Sequence, residues 1–406
     1  MTTIILILIY LAFVSMGLPD ALLGSAWPSI YRQLDVSVSL VGVVTILIST
    51  GTVISSLFSS RLDRRFGAGK ITAFSTLLTA VALFGFSRSA SFIHLCLWAI
   101  PYGLGAGSID VVLNNYAALH FKSSHMNWIH FSWGLGAASG PYLMGLLLSR
   151  GEPWTSGYRL VGILQLIMTL MLFLSLPLWR QAGVRSPIIH RENDGREPGH
   201  LRPGNIIHLP GVKSILPVFF CYSALEVTTG LWASSYLVLS RGLHPIIAAK
   251  WASLFYLGIT AGRFLAGFVS NRIRNLNMIR LGQAVILPGI LILLFVQDYK
   301  WCFPGLMLIG LGCAPIYPSL LHETPRNFGL ANAHGVMGLQ MACAYTGSIL
   351  MPPLFGLIAA RFSIILYPFY LLIFLGLMII MTEQTNHTVS AYKRFRQTGQ
   401  STEGHS

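Results

Sequence analysis

Ionisable side chains stand inside long apolar stretches of this 406-residue chain. Asp20, Asp110 and Glu226 are the acidic residues deep in such stretches, and Arg263 is the basic one. An ionised side chain at the centre of a lipid bilayer costs at least ~2.5 kcal/mol, so it must face a polar cavity or a partner. A carboxyl group removed from water favours its protonated form, and it exchanges that proton when it is again exposed to solvent. These side chains are therefore the first candidates for chemistry.

Polar and aromatic side chains lie at helical spacing from the carboxylates. Asn114 follows Asp110 by four residues, and Trp27 follows Asp20 by seven, so that each pair shares a helix face. Together with Asp20 and Glu226, the predicted ligands of a hydroxyl-rich solute are Asn114, Trp27, Trp232, Tyr236 and Gln340. The alternative for the aromatic residues is a position at the lipid interface. The alternative for the carboxylates is a hydrogen-bonded support between helices.

Arg263 has two candidate roles. It can pair with Glu226 or with a backbone carbonyl, or it can contact an anionic solute. We expect a carrier dedicated to organic phosphates to have two such cations, whereas this sequence has one deep in an apolar stretch.

The sequence predicts no cofactor and no metal site. Its five cysteines lie in or at the edges of apolar stretches, and none has a C-x-x-C spacing. The chain has no P-loop and so is not expected to hydrolyse ATP. A polytopic membrane enzyme is a distant alternative, because the scattered histidines and the segment around His322 form no recognised catalytic constellation.

Composition excludes several classes of protein. The chain is 54% hydrophobic and only 10% charged, whereas soluble proteins carry about 25% charged residues. A cytosolic enzyme, a disordered protein and a secreted disulfide module are therefore excluded. The net charge of +14 comes from Lys and Arg between the apolar stretches, as in loops that face anionic lipid. We expect membrane lipid, and not nucleic acid, to be the partner of these charges.

The apolar stretches predict an all-α integral membrane protein with twelve spanning helices, since a span needs about 20 apolar residues. The predicted spans lie near 3–31, 38–60, 71–88, 91–119, 127–149, 158–179, 214–239, 246–270, 277–297, 301–321, 332–359 and 362–382. We predict a six-helix bundle over 1–180, a polar linker over 181–213, a second six-helix bundle over 214–385, and a disordered polar tail over 386–406. The first basic residue is Arg32, so the opening span is expected to remain as a helix and not to be cleaved as a signal peptide.

The distribution of basic residues predicts the orientation. With the N-terminus inside, 18 of the 27 Lys and Arg fall in cytoplasmic segments and 8 in outer segments. Cytoplasmic loops of membrane proteins carry the excess of positive charge. We therefore expect a multi-pass protein of the cell membrane with both termini and the 181–213 linker in the cytoplasm.

An internal repeat relates the two predicted bundles. "DALLG", which begins at Asp20, matches "EVTTG", which begins at Glu226, and "GLGAGSID", which ends at Asp110, matches "GLGCAPIY", which ends at Tyr317. The loops "SSRLDRRFG" and "GFVSNRI" match as well, so that the three offsets are 206, 207 and 208 residues. Such a repeat indicates two halves related by an axis along the membrane normal, an arrangement found in transporters. It places Asp20 and Glu226 in equivalent positions.

These features resemble the major facilitator superfamily. The loop "SSRLDRRFGAGK" approximates the superfamily's G-x-x-x-D-R-x-G-R-R/K pattern. Asp63 and Arg64 match the pattern, and Ser59 replaces its first glycine. The second glycine of the pattern fits only if one extra residue is allowed. The resemblance implies a cytoplasmic gate that includes Asp63 and Arg64. His130 lies near the cytoplasmic end of its helix, where a gate or a helix-packing role is expected.

Three further stretches, "GLPDALLGSAWPSI", "DVVLNNY" and "HFSWGLGAASGP", resemble the fucose–proton symporter branch. In that branch, acidic residues of the first and fourth helices are tied to proton coupling and sugar recognition, and Asp20 and Asp110 match them. The resemblance implies a monomeric secondary active transporter that takes up a sugar-like solute with a proton by alternating access. An exporter of drugs or sugars is the alternative.

Overall fold

The structure, a computed structural model, describes residues 2–121, 123–185, 206–269 and 272–403. Over these residues the chain is helical, with three short 3₁₀ turns and no strand. The helices are α1 (Thr2–Asp20), α2 (Leu22–Gln33), α3 (Val41–Phe66), α4 (Ala68–Ser87), α5 (Phe92–His120), α6 (Ser123–Ser149), α7 (Trp154–Arg185), α8 (Val212–Leu239), α9 (Pro245–Val269), α10 (Asn275–Phe295), α11 (Cys302–Phe328), α12 (Leu330–Arg361) and α13 (Tyr367–Glu403).

The helices account for the twelve predicted spans. In the described part of the chain, eleven segments are long and apolar enough to cross a membrane, and α1 with α2 makes the first of them. The α6 helix is the twelfth: its 27 residues are long enough, but His125, His130 and several serines make it less apolar. It packs between α1 and α9. The predicted fold class is confirmed.

The C-terminal tail differs from its prediction. The α13 helix continues through the polar tail as far as Glu403, so the prediction of disorder is wrong over residues 386–403. Contacts within the protein hold the first part of this extension, because the Lys393 ammonium donates to the Arg326 carbonyl at 3.0 Å. Residues 186–205, most of the predicted linker, lie outside the described part of the chain.

The first span is broken where Asp20 stands. Pro19 has no N–H to donate to the Ser15 carbonyl, the partner that a regular helix would require. The Gln165 amide of α7 donates to that carbonyl at 2.8 Å, and the Ser15 hydroxyl donates to the Gln165 side-chain oxygen at 2.8 Å. A break inside a span is tolerated where neighbouring helices satisfy the freed backbone groups. The break separates α1 from α2 and leaves Asp20 at the end of α1.

The N-terminal half (α1–α7) and the C-terminal half (α8–α13) touch at the end of the molecule that lies away from the chain termini. There α2 packs on α8 so closely that a Cβ on Gly24 would lie 2.7 Å from the Leu231 carbonyl oxygen. The Ser234 hydroxyl donates to the Ser25 carbonyl at 3.3 Å. We call this contact between α2 and α8 the closed end. The halves also pack along α6 and α9, from Gly145 beside Lys250 to Trp128 beside Phe264.

Candidate functional site

Asp20 is held by helices that are distant in sequence. The Tyr102 hydroxyl of α5 donates to one carboxylate oxygen at 3.0 Å, and the Trp133 indole of α6 donates to the other at 2.8 Å. The side chain nevertheless remains exposed. A carboxylate that is oriented by two donors and still reachable is suited to accept a hydrogen bond from a solute or a proton from water.

Trp133 connects Asp20 to the other half of the protein. Its ring lies under the Arg263 guanidinium of α9, with 5.4 Å from the Cζ atom to the ring centroid, a cation–π contact. The α6 backbone reaches this position because Gly17 has no side chain, and a Cβ there would collide with the Trp133 carbonyl. A single indole thus contacts the charged groups of both halves.

Asp110 and Asn114 form a polar pair one turn apart on α5. The Asn114 amide nitrogen donates to the Asp110 backbone carbonyl and to its side-chain oxygen, each at 2.9 Å. The side-chain oxygen of Asn114 is buried and accepts no hydrogen bond from any residue that the structure describes. An unpaired buried acceptor is unfavourable by about 1–3 kcal/mol, so a donor supplied by a ligand would stabilise this site.

The C-terminal half faces these groups with one carboxylate and several tyrosines. Tyr256 of α9 lies within electrostatic range of both Asp20 and Glu226. Tyr317 of α11 lies within the same range of Asp110 and Glu226. Each of the three intramembrane carboxylates therefore lies near a tyrosine of the C-terminal half.

Arg263 does not form an ion pair with Glu226 in this structure. The ion pairs within 4 Å in which both side chains are described include Arg280 with Glu383 and Arg326 with Glu323, but not Arg263 with Glu226. Arg263 and Glu226 are near enough to interact electrostatically, and the guanidinium lies over the Trp133 ring. The predicted pairing remains a prediction.

Four of the predicted solute ligands lie in helix packing instead, which corrects their assignment. Trp27 and Trp232 are fully buried, and their indoles donate to backbone carbonyls, at 2.8 Å to Val38 and 2.9 Å to Pro352. The Tyr236 hydroxyl donates to the Leu293 carbonyl at 2.7 Å. Gln340 is fully buried, and its side-chain oxygen accepts from the Thr324 hydroxyl at 3.0 Å.

The predicted gate residues are only partly described. Asp63 lies at the end of α3, where its carbonyl accepts from the Gly67 N–H at 2.7 Å, and the Arg64 side chain lies outside the described part of the chain. His130 is exposed on α6, edge-on to Phe13 at 6.1 Å, one turn before Trp133. Their role as a gate remains a prediction.

Two site residues were not predicted from the sequence. Tyr102 and Tyr256 are ordinary aromatic residues in apolar helices, and no local spacing distinguishes them from interfacial tyrosines. Their partners are 82 residues away for Tyr102 and in the other half for Tyr256. The repeat offers one signal, because the position equivalent to Tyr102 is Ile309, which has no polar group. Within the described residues, no group of three or more His, Cys, Asp or Glu could hold a metal ion.

The chain is similar in sequence to known transporters. The chain is 26% identical over 279 residues to "Bypass of stop codon protein 6" of Saccharomyces cerevisiae, a match over 64% of this chain and only 56% of the yeast protein. It is 20% identical over 321 residues to the glucose/mannose transporter GlcP of Bacillus subtilis, with 77% of each chain covered.

Solved structures agree in fold. A bacterial homolog of the human lysosomal transporter Spinster, in an inward-facing and unoccupied conformation, superposes with a TM-score of 0.75. The match has 12% sequence identity and covers 95% of this chain and 98% of the other. The sequence profile described as Major Facilitator Superfamily matches residues 9–350. The chain therefore belongs to the Major Facilitator Superfamily, and it is a multi-pass membrane transporter, not an enzyme.

Proposed function

We propose that this transporter takes up a sugar or a similar small polar solute together with a proton, as a monomer in the cell membrane. The observation that carries the proposal is the position of Asp20: two neutral donors orient its carboxylate, and it stays exposed at the break in the first span. Discontinuous helices mark the binding sites of many secondary transporters. The relative named for glucose and mannose transport supports a sugar as the solute.

Asp110 is proposed as the proton carrier and Asp20 as the solute ligand. Asn114 already donates to the Asp110 side chain, and its unpartnered oxygen is available to a solute hydroxyl. Protonation of Asp110 would weaken the bond from Asn114, because a neutral carboxyl is a poorer acceptor than a carboxylate. The protonation state of Asp110 is in this way linked to the orientation of a group that touches the solute.

The proposed cycle is alternating access of two six-helix bundles, 1–180 and 214–385, joined by the 181–213 linker. With both termini in the cytoplasm, the closed end faces outward and the site opens inward. Asp63, Arg64 and His130 would then line the inner gate of the opposite state. A reporter inserted after Arg196 that is active only on the outer face would contradict this orientation.

Uptake into proteoliposomes tests the proposal. A panel of radiolabelled hexoses is offered with and without an inside-alkaline pH gradient, and we expect at least one hexose to accumulate only when the gradient is present. Glu383→Gln, a change at an ion pair whose two side chains are both 45% exposed, is the matched control. Accumulation that follows a sodium gradient would indicate sodium coupling, and hexose efflux driven by the proton gradient would indicate export. Either result would contradict proton-coupled uptake.

One observation favours a second candidate, a sugar acid as the solute. Arg263 has no carboxylate within 4 Å among the described residues and lies beside the site, so that a solute carboxylate could pair with it. Competition between glucuronate and the transported hexose, in the parent and in Arg263→Gln, separates the two candidates. Inhibition by glucuronate that disappears in Arg263→Gln would favour the sugar acid.

A further inference from the structure

A pocket opens at the end of the C-terminal half that the proposed orientation places outside, apart from the carboxylate site. It has a volume of about 310 Å³ and lies where α8 ends, α10 ends and α13 begins. Its polar wall consists of Tyr236, Ser240, Arg241 and Gln297, and its apolar wall includes Phe295 and Phe369. We call it the Arg241 pocket.

The guanidinium of Arg241 is fixed in place by neutral groups alone. Its Nε donates to the Tyr236 hydroxyl at 3.1 Å, and one Nη donates to the Leu293 carbonyl. The Leu293 carbonyl, which also accepts from the Tyr236 hydroxyl at 2.7 Å, lies in the last turn of α10, where a cation is favourable. A guanidinium has five N–H donors, so most of its donors remain for a ligand.

No carboxylate neutralises this cation. The residues that line the pocket include neither Asp nor Glu, and Arg241 has no ion pair within 4 Å among the described residues. Asp298 follows the lining residue Gln297 in sequence, and its side chain accepts from the Lys300 N–H at 3.0 Å. The pocket therefore offers a positioned positive charge that has no ion-pair partner within 4 Å among the described residues.

The other side of the pocket is apolar and open. Phe295 is 72% exposed, Ile365 is 59% exposed and Phe369 is 46% exposed. In a membrane-spanning protein, exposed aromatic and aliphatic side chains at a helix end contact lipid at the level of the headgroups. A ligand here has its anionic part on Arg241 and Gln297 and its hydrocarbon part along Phe295 and Phe369.

We propose that the Arg241 pocket binds a phospholipid of the outer leaflet, with its phosphate on the Arg241 guanidinium. Arginine binds phosphate through paired N–H groups. The pocket is large enough for a headgroup, while the acyl chains leave across the open apolar wall. Free inorganic phosphate shares the chemistry of the headgroup but makes no use of that wall.

Native mass spectrometry of the purified, delipidated transporter tests the site. Dioleoyl phosphatidylglycerol is titrated in detergent, with dioleoylglycerol and inorganic phosphate as separate arms. We expect one phosphatidylglycerol to bind at low concentration, dioleoylglycerol to bind at least tenfold more weakly, and millimolar phosphate not to displace the lipid. Equal binding of dioleoylglycerol, or displacement by inorganic phosphate, would overturn the proposal.

Two variants localise the binding. Arg241→Gln removes the cation, and Gln297→Glu places a negative charge in the pocket while leaving the bonds of Arg241 to α10 intact. Both are expected to weaken lipid binding about tenfold or more: Arg241→Gln loses a charge-assisted hydrogen bond, and the carboxylate of Gln297→Glu repels the phosphate and competes for the guanidinium. Lys300→Gln, a change to an exposed basic residue at the same end, is the control and should bind as the parent does. If Arg241→Gln fails to fold, Gln297→Glu alone tests the proposal. Lipid binding by Gln297→Glu equal to that of the parent would then overturn the proposed site.

Discussion

The two halves of the protein share a repeat but differ at the site. In the N-terminal half the first span breaks at Pro19, and two donors hold Asp20. In the C-terminal half α8 runs unbroken through Glu226, and Leu225 takes the place of the proline. Asp110 is matched by Tyr317 and its neighbour Asn114 by Leu321. The N-terminal half therefore holds two of the three intramembrane carboxylates.

Buried tryptophans, in contrast, occur in both halves. Trp27 and Trp232 lie within one residue of equivalent positions in the repeat, and each indole donates to a backbone carbonyl of another helix or turn. The tryptophan thus occurs in both halves and supports the packing of each half. The following substitutions compare the two halves.

The largest expected effect is at Asp20. Asp20→Asn should weaken solute binding about 100-fold, because two charge-assisted hydrogen bonds of about 1.5 kcal/mol each are lost. Glu226→Gln should weaken it tenfold or less. Equilibrium binding of the transported hexose to purified protein measures both, and an equal loss in the two variants would show that the halves contribute alike.

The second comparison separates coupling from binding. Asp110→Asn mimics a permanently protonated group, so counterflow of solute should stay within about threefold of the parent while accumulation driven by a pH gradient disappears. Tyr317→Phe, at the equivalent position, should keep both. Accumulation by Asp110→Asn would remove Asp110 from the coupling role.

The third comparison concerns the break in the first span. Gln165→Leu leaves the Ser15 carbonyl without a donor and should destabilise the protein by about 1–3 kcal/mol. Gln283, buried in the C-terminal half, donates to the Thr382 hydroxyl at 3.0 Å and to no backbone carbonyl of a described residue, so Gln283→Leu should destabilise the protein less. Thermal unfolding in detergent compares them, and an equal loss would mean that the break needs no support from α7.

The smallest effects are expected at the tryptophans. Trp27→Phe and Trp232→Phe each keep an aromatic ring and lose one buried hydrogen bond, so each should destabilise by about 1 kcal/mol. Solute affinity should not change in either variant. A tenfold loss of hexose affinity in one of them would return that residue to the solute site.

Sequence reasoning succeeded where a local signal has a single physical cause. A carboxylate in an apolar stretch is expensive, and this alone selected Asp20, Asp110 and Glu226 as candidates, whose roles remain predictions. Apolar length identified the spans, and among the described spans α6 departs in hydropathy because it carries His125, His130 and several serines. The superfamily assignment is confirmed over residues 9–350.

Sequence reasoning failed where the cause is a contact across helices. The donors to Asp20 come from positions 82 and 113 residues away, a pairing that no helical spacing contains. Trp27 shares a helix face with Asp20 by the 3.6-residue period, but the break at Asp20 interrupts that period and leaves the indole against Val38. The prediction of a disordered tail was wrong for a related reason, because Lys393 in the polar sequence after the last span donates to the Arg326 carbonyl.

The closed end is built largely from glycine and serine, and this has a thermodynamic consequence. Gly24 meets the backbone of Gly230 and Leu231, and Ser25 accepts from Ser234. Side chains with few rotamers lose little entropy when they are immobilised, whereas a seal of lysine, glutamine or methionine would lose up to about 2 kcal/mol for each residue. The side chains of this contact therefore have similar conformational entropy whether the contact is closed or open. Their entropy favours neither state strongly.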